Sequence, residues 1–283
     1  MSRSRSRSRT GSGSRARSLP RPARHRALVA ALLVPALVGL AGCGSDDDAS
    51  DGDNEAGGPG DPEVTLTVLA AASLTDVFEE AGAAYEEEHP GTTVRFSFAG
   101  SQELVAQLDA GAPADVLVTA DTDTMASAAE LTGDPRVIAR NELTIVTPPD
   151  NPAGVDELAD LADPGLRLVL AAPEVPAGRY GQEILRAQGV DAEPDSLEAN
   201  VRAVLGKVRL GEADAGLVYT TDATAAGDEV RAVPIPEDQN VVAAYPAATL
   251  NDAEQPEAAA GFVAWLNEEV AQGLLAEAGF LAP

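Results

Sequence analysis

Two serines stand where a strand-like run gives way to a helix-like one. Ser73 follows an alternating, then apolar run at 64–69 and precedes residues 75–88, in which Val77, Ala81, Ala84 and Tyr85 recur at helical spacing. Ser101 follows the alternating run 94–98 and precedes a second helical stretch, 103–110. In a parallel α/β sheet such junctions gather at the carboxyl ends of the strands, where ligands collect. A serine there offers its hydroxyl, and the first helical turn offers unpaired N–H groups with a partial positive charge. Two such ends converging bind an anion without a formal cation. Taken alone, each serine is better read as the N-cap of its helix. Further along, Val175-Pro-Ala-Gly178 opens another helix and Asn200-Val201 stands near a helix start. Tyr219 ends the strand 215–219, from which its phenol can reach the same crevice, although a lone tyrosine there is more often a core or rim residue.

Other chemistries lack their parts. After residue 43 the only histidine is His89, which precedes a Pro-Gly turn and reads as a solvated helix-end residue. A Ser-His-Asp triad would have that one base alone. There is no G-x-S-x-G elbow, no G-x-x-x-x-G-K-[ST] loop and no His/Cys metal cluster. Carboxylates are plentiful but scattered, as on a solvated surface.

The elements that must position these residues alternate. After the two units around Ser73 and Ser101 come a strand at 114–118, a helix at 121–131 and a strand at 142–147, with Pro148-Pro149 marking a boundary. The pattern then restarts with a short helix at 155–161, a buried strand at 166–171, and helices at 179–188 and 197–210. Short strands follow at 230–233 and 241–244, and an amphipathic helix at 256–278 carries Phe262, Trp265 and Leu266. Alternation of this kind predicts an α/β fold with a mostly parallel sheet. Two α/β units, the second inserted into the first, fit the order. One lobe takes residues 63–141 and 234–283, the other 142–233, with crossings near Asn141 and Pro234.

The start of the chain fixes a compartment. A head with nine arginines and no acids leads into an apolar run, 27–41, that closes on Leu40-Ala41-Gly42-Cys43. A basic head, a short apolar core and small residues before a cut mark an export signal, residues 1–42. The run is shorter than the roughly 20 residues of a spanning helix. Leu-Ala-Gly-Cys resembles a bacterial lipobox, which implies lipidation of Cys43 as the first residue of the mature protein. Residues 43–62 then form a loose acidic linker. Cys43 is the only cysteine, so no internal disulfide and no thiolate metal cage is available.

With those nine arginines set aside, 10 basic residues face 46 acidic ones, about −36. Such a surface repels nucleic acid and anionic lipid headgroups. An anion held by this chain must be held by local donors.

Six blocks carry a family resemblance: Val68-Leu-Ala-Ala-Ala-Ser73-Leu-Thr, Phe98-Ala-Gly-Ser101, Gly111-Ala-Pro-Ala-Asp115-Val, Val175-Pro-Ala177-Gly-Arg-Tyr180, Asn200-Val201-Arg202 and Gly216-Leu-Val-Tyr219-Thr-Thr-Asp-Ala. In this order they resemble the periplasmic molybdate-binding proteins of ABC importers. The resemblance implies a two-lobed, type II periplasmic-binding-protein fold that closes on a tetrahedral oxyanion, molybdate or tungstate, with no cofactor and no enzyme activity. It implies ligand contacts from the hydroxyls of Ser73, Ser101 and Tyr219 and from the backbone N–H groups of Ala177 and Val201. It implies an ABC permease and its ATPase as partners, and a monomer anchored by lipid outside the cytoplasmic membrane. Gly100 departs from the pattern, standing where many relatives carry another serine. Arg179, Arg202 and Lys207 are expected to flank the ligand rather than touch it. Competing readings are a receptor for sulfate, phosphate or another oxyanion, a ferric-iron receptor, a serine hydrolase using Ser73 or Ser101, and a purely structural surface lipoprotein.

Overall fold

The computed structural model describes residues 64–283. The expected export signal, Cys43 and the expected linker lie outside the described residues.

Strands and helices alternate through β1 (Val64–Ala71), α1 (Thr75–Glu88), β2 (Thr92–Ala99), α2 (Ser101–Asp109), β3 (Val116–Val118) and α3 (Thr122–Ser127). The long strand β4 (Arg136–Thr147) leads to β5 (Leu168–Ala171), α4 (Pro176–Gln188), β6 (Ser196–Glu198), α5 (Val201–Arg209), β7 (Ala215–Tyr219), α6 (Thr220–Ala226) and β8 (Arg231–Pro234). The chain then returns through β9 (Val242–Thr249), α7 (Pro256–Trp265) and α8 (Glu269–Glu277).

The strands join in the order β2-β1-β3-β9-β4-β7-β5-β6, with β8 also on β4. Two parallel triplets, β2-β1-β3 and β6-β5-β7, therefore sit on either side of an antiparallel pair, β9 and β4. Each triplet with its helices is one lobe of a two-lobed α/β molecule. β4 belongs to both: residues 136–142 pair with β9, and residues 143–146 pair with β7. A second tie joins β4 to the segment just before β9. The amide of Asn240 accepts from Leu143 N–H at 3.3 Å and donates to Leu143 C=O at 2.8 Å.

β5 and β7 are buried along their whole length, as apolar strands covered by helices on both faces must be. β1 sends Leu66 and Val68 into the core with no exposure. At its far end, Tyr85 of α1 meets Phe262 and Trp265 of α7 edge-on, and Trp265 Nε1 donates to Glu88 at 2.8 Å.

Several sequence expectations are corrected. The strand expected at 142–147 begins six residues earlier, because Arg136–Asn141 finds a partner in β9 that lies more than a hundred residues downstream. The helix expected at 197–210 is a short strand and then a helix. Leu197 pairs with Leu170, and Asn200 caps a helix that starts only at Val201. The helix expected at 256–278 breaks between Trp265 and Glu269 into α7 and α8, with Leu266 packed into the core at the break. The helix expected at 121–131 stops at Ser127. At 155–161 there is a 3-10 turn, Leu158–Ala162, in place of an α-helix. His89 does sit at a helix end, as the C-cap of α1, but it is half-buried rather than fully solvated. Its ring stacks on Tyr85 at 3.9 Å, and its Nδ1 lies 3.0 Å from Tyr85 C=O at the end of α1.

Candidate functional site

Each parallel strand delivers one short segment to a common hollow between the lobes. Ser73 follows β1, Ser101 follows β2 and Ala120 follows β3; Ala177 follows β5, Val201 follows β6, and Tyr219 ends β7. All six line one small hollow. The structure thus gathers Ser73, Ser101, Ala177, Val201 and Tyr219, which come from segments up to 146 residues apart in the chain. Every one of them is at least 96% buried.

Neither serine caps its helix. Gly100 is the N-cap of α2, and a 3-10 turn, Ala72–Leu74, leads into α1 without a side-chain cap. The hydroxyls are engaged differently. Ser101 Oγ accepts from Ala120 N–H at 3.0 Å, which leaves its own proton to donate. Ser73 Oγ meets Tyr245 Oη at 2.9 Å. Among the described residues neither serine hydrogen-bonds to a histidine, lysine or carboxylate, so neither has an activating base.

The helix starts supply backbone donors. Val175 precedes α4 and Pro176 holds its first position, and among the described residues nothing caps Ala177 N–H. Asn200 Oδ1 accepts from Ala203 N–H at 2.9 Å, one turn into α5, and among the described residues Val201 N–H has no acceptor. Tyr219 Oη is buried and makes no hydrogen bond with the described residues. Burial pushes its phenol far above the ordinary range, with Tyr245, Tyr180, Asp121 and Asp222 adding to the effect. The group therefore stays a neutral donor. An orphaned buried hydroxyl costs about 1–3 kcal/mol, and an incoming acceptor removes that cost.

Among the described residues no arginine or lysine lines this cavity. Arg179 and Arg202 stand close to lining residues in the chain, and both reach across to the opposite lobe. Arg179 pairs through Nε and Nη2 with Asp121, the buried N-cap of α3, and donates to Thr124 at 2.9 Å. Arg202 pairs with Asp76 at 2.5 Å and with Asp222 at 2.7 Å in its own lobe. Asp222 is fully buried and accepts Tyr219 N–H at 3.2 Å; burial pushes its carboxyl up to about 7 against the pull of Arg202. Lys207 pairs with Glu198 and Ser196 inside the second lobe. Sequence reading found the arginines but not Asp121 or Asp76, because the partners lie 58 and 126 residues away. Arg179→Met would leave Asp121 buried without its cation. Since the guanidinium is 37% exposed, the expected cost is only about 1 kcal/mol, read as roughly fivefold weaker ligand binding in calorimetry.

Gly100 is explained by what faces it. A Cβ there would lie 2.5 Å from Ala199 C=O, across the cleft, and would also strike the amide of Gln102. Gln102 Nε2 itself donates to Ala199 C=O at 2.8 Å. The backbone of Gly100, at φ −59° and ψ 137°, suits any residue, so substitution tests the contact alone. Gly100→Val is expected to keep the ligand-free melting temperature and to weaken binding by at least about tenfold, because the lobes cannot close fully. An unchanged affinity in calorimetry would count against closure on this contact.

The chain matches the family described as bacterial extracellular solute-binding protein over residues 66–281. It is 40% identical to the molybdate-binding protein ModA of Mycobacterium tuberculosis, over 90% of this chain and 97% of that protein. It is 30% identical to the molybdate-binding protein ModA of Haemophilus influenzae, over 77% of this chain and 90% of that one. The solved structure of the Azotobacter vinelandii periplasmic molybdate-binding protein superposes with a TM-score of 0.68, at 20% identity, over 77% of this chain and 99% of that chain, a likeness of fold. By its sequence, its fold and the convergence of six strand ends on one buried hollow, this chain belongs to the bacterial extracellular solute-binding proteins, on the branch that holds the molybdate-binding proteins.

Proposed function

We propose that this protein captures molybdate, or its near-equal in shape tungstate, outside the cytoplasmic membrane and hands it to an ABC permease driven by its ATPase. The observation that carries the reading is the donor set of the cavity. Three hydroxyls and two helix-start N–H groups face one buried space, with no acceptor carboxylate and no cation among its lining residues. Each N–H or O–H to a charged oxygen is worth about 1.5–3 kcal/mol net. Five together give about 7–15 kcal/mol before ordering costs, against the roughly 8 kcal/mol of a micromolar complex. Size sets selectivity, since donors spaced for molybdate leave slack around sulfate.

Ser73 and Ser101 hold the ion from the first lobe, and Ala177, Val201 and Tyr219 from the second. The first lobe comprises residues 63–141 and 234–283 and the second 142–233. Support for that division is the change of partner in β4 after Glu142 and the Asn240 clip on Leu143. Closure about these crossings buries the ion and presents a joined surface to the permease. The protein acts as a monomer, without enzyme activity or cofactor, and is tethered by lipid on Cys43.

Calorimetry of the purified protein with molybdate, tungstate, sulfate and phosphate tests the reading. The expected result is submicromolar binding of the first two and far weaker heats from the others. Tight sulfate binding with no molybdate heat would overturn it.

A further inference from the structure

Tyr245 stands behind the cavity without lining it. It lies at the middle of β9, the strand that returns to the first lobe, and is fully buried. Its ring meets Tyr219 edge-on at 5.7 Å and Phe280 at 5.4 Å. Its hydroxyl lies 2.9 Å from Ser73 Oγ, which leaves open by distance alone which oxygen donates.

Proton accounting decides the direction. A phenol has one proton, and a buried one must find an acceptor. Among the described residues Ser73 is the group that meets the Tyr245 hydroxyl at hydrogen-bond geometry, 2.9 Å; the neighbouring side chains of Asn141 and Tyr219 form no such bond with it, and Asn141 is already engaged with Thr221 and Glu142 N–H. If Ser73 donated instead, the phenol proton would be stranded in the core and Ser73 would have nothing left to give the cavity. With Tyr245 donating, both protons are used, one toward Ser73 and one toward the ligand. Ser101 is set in the same sense by Ala120 N–H. The first lobe thus makes donors of both serines by occupying a lone pair on each, once with backbone and once with a side chain that mutation can remove.

We propose that Tyr245 is a positioning residue that donates to Ser73 and thereby fixes the Ser73 hydroxyl as a donor toward the bound oxyanion. The assignment rests on the oxyanion reading given above and names a residue that acts through Ser73.

A double-mutant cycle read by molybdate calorimetry tests it. Tyr245→Phe keeps the ring contacts and is expected to weaken molybdate binding by about three- to tenfold in the parent protein. In a Ser73→Ala background the same change is expected to alter affinity less than about twofold, because Tyr245 then has nothing to orient. A merely structural role for Tyr245 would weaken both backgrounds by the same factor, and that result overturns the proposal. Replacement of Tyr245 by 3-fluorotyrosine gives an independent sign. Its more acidic phenol donates more strongly and is expected to tighten binding; weaker binding would show that Tyr245 accepts, and would overturn the proposal even if Tyr245→Phe failed to fold. A parent protein that gives no heat with any oxyanion would remove the functional reading and this assignment together. Parent binding with equal losses in both backgrounds would remove the assignment alone.

Discussion

Tyr219→Phe is expected to weaken ligand binding without lowering the ligand-free melting temperature. Among the described residues the Tyr219 hydroxyl has no hydrogen-bond partner, so its removal breaks no bond within the protein. The melting temperature without ligand should therefore hold or rise. Binding loses one donor to a charged oxygen, about 1.5–3 kcal/mol, or roughly ten- to 150-fold in affinity. Thermal melts with and without saturating molybdate, together with calorimetry, separate the two effects. A merely structural tyrosine would behave the other way: truncation would lower the melting temperature and leave the affinity where it was. That pattern would strike Tyr219 from the site.

Gly178→Ala carries the other large effect, and two magnitudes of opposite sign decide it. Inside a helix, alanine is favoured over glycine by about 1 kcal/mol. Here the added Cβ would lie 2.0 Å from Ala172 C=O and 2.5 Å from Ala171 C=O. Those oxygens belong to the backbone at the end of β5, and that of Ala172 is held by a hydrogen bond from Val175 N–H at 2.9 Å. Neither can yield as a side chain would, so α4 must withdraw from the sheet. Overpacking of this kind costs about 1–3 kcal/mol, enough to outweigh the propensity gain. Withdrawal of α4 also carries away Ala177 N–H, one residue before Gly178, and a displacement near 1 Å is worth on the order of a hundredfold in a fitted site. The variant should melt lower and bind at least about a hundredfold more weakly. A higher melting temperature with parent affinity would mean that helix propensity wins and the close approach is unimportant.

These effects depend on how the site is shared between local and distant structure. The strand-to-helix junctions at Ser73 and Ser101 were legible because each is written in adjacent residues: an apolar strand, a small hydroxyl, then helical periodicity. Their role as caps was the wrong local reading. Gly100 takes the cap of α2, and the hydroxyls turn instead to Ala120 N–H and to Tyr245. The start of α5 was misplaced for a related reason. Residues 196–198 have no strong strand signal of their own and become β6 only by pairing with β5. Asp121, Asp76 and Tyr245 went unread because each acquires its part from a residue at least 58 positions away.

The amino-acid order alone determined the α/β class, the succession of strands and helices, the acidic exterior and the small polar residues at the strand ends. Those features follow from backbone periodicity and from side-chain chemistry within a few residues. Tertiary structure alone decided that six strand ends share one hollow, that β4 runs through both lobes, that two arginines span the cleft, and that a buried tyrosine sets the donor sense of Ser73. Each of these is a meeting of surfaces distant in the chain. Burial fixes them, because a polar group taken out of water must find its partner wherever the fold has placed one.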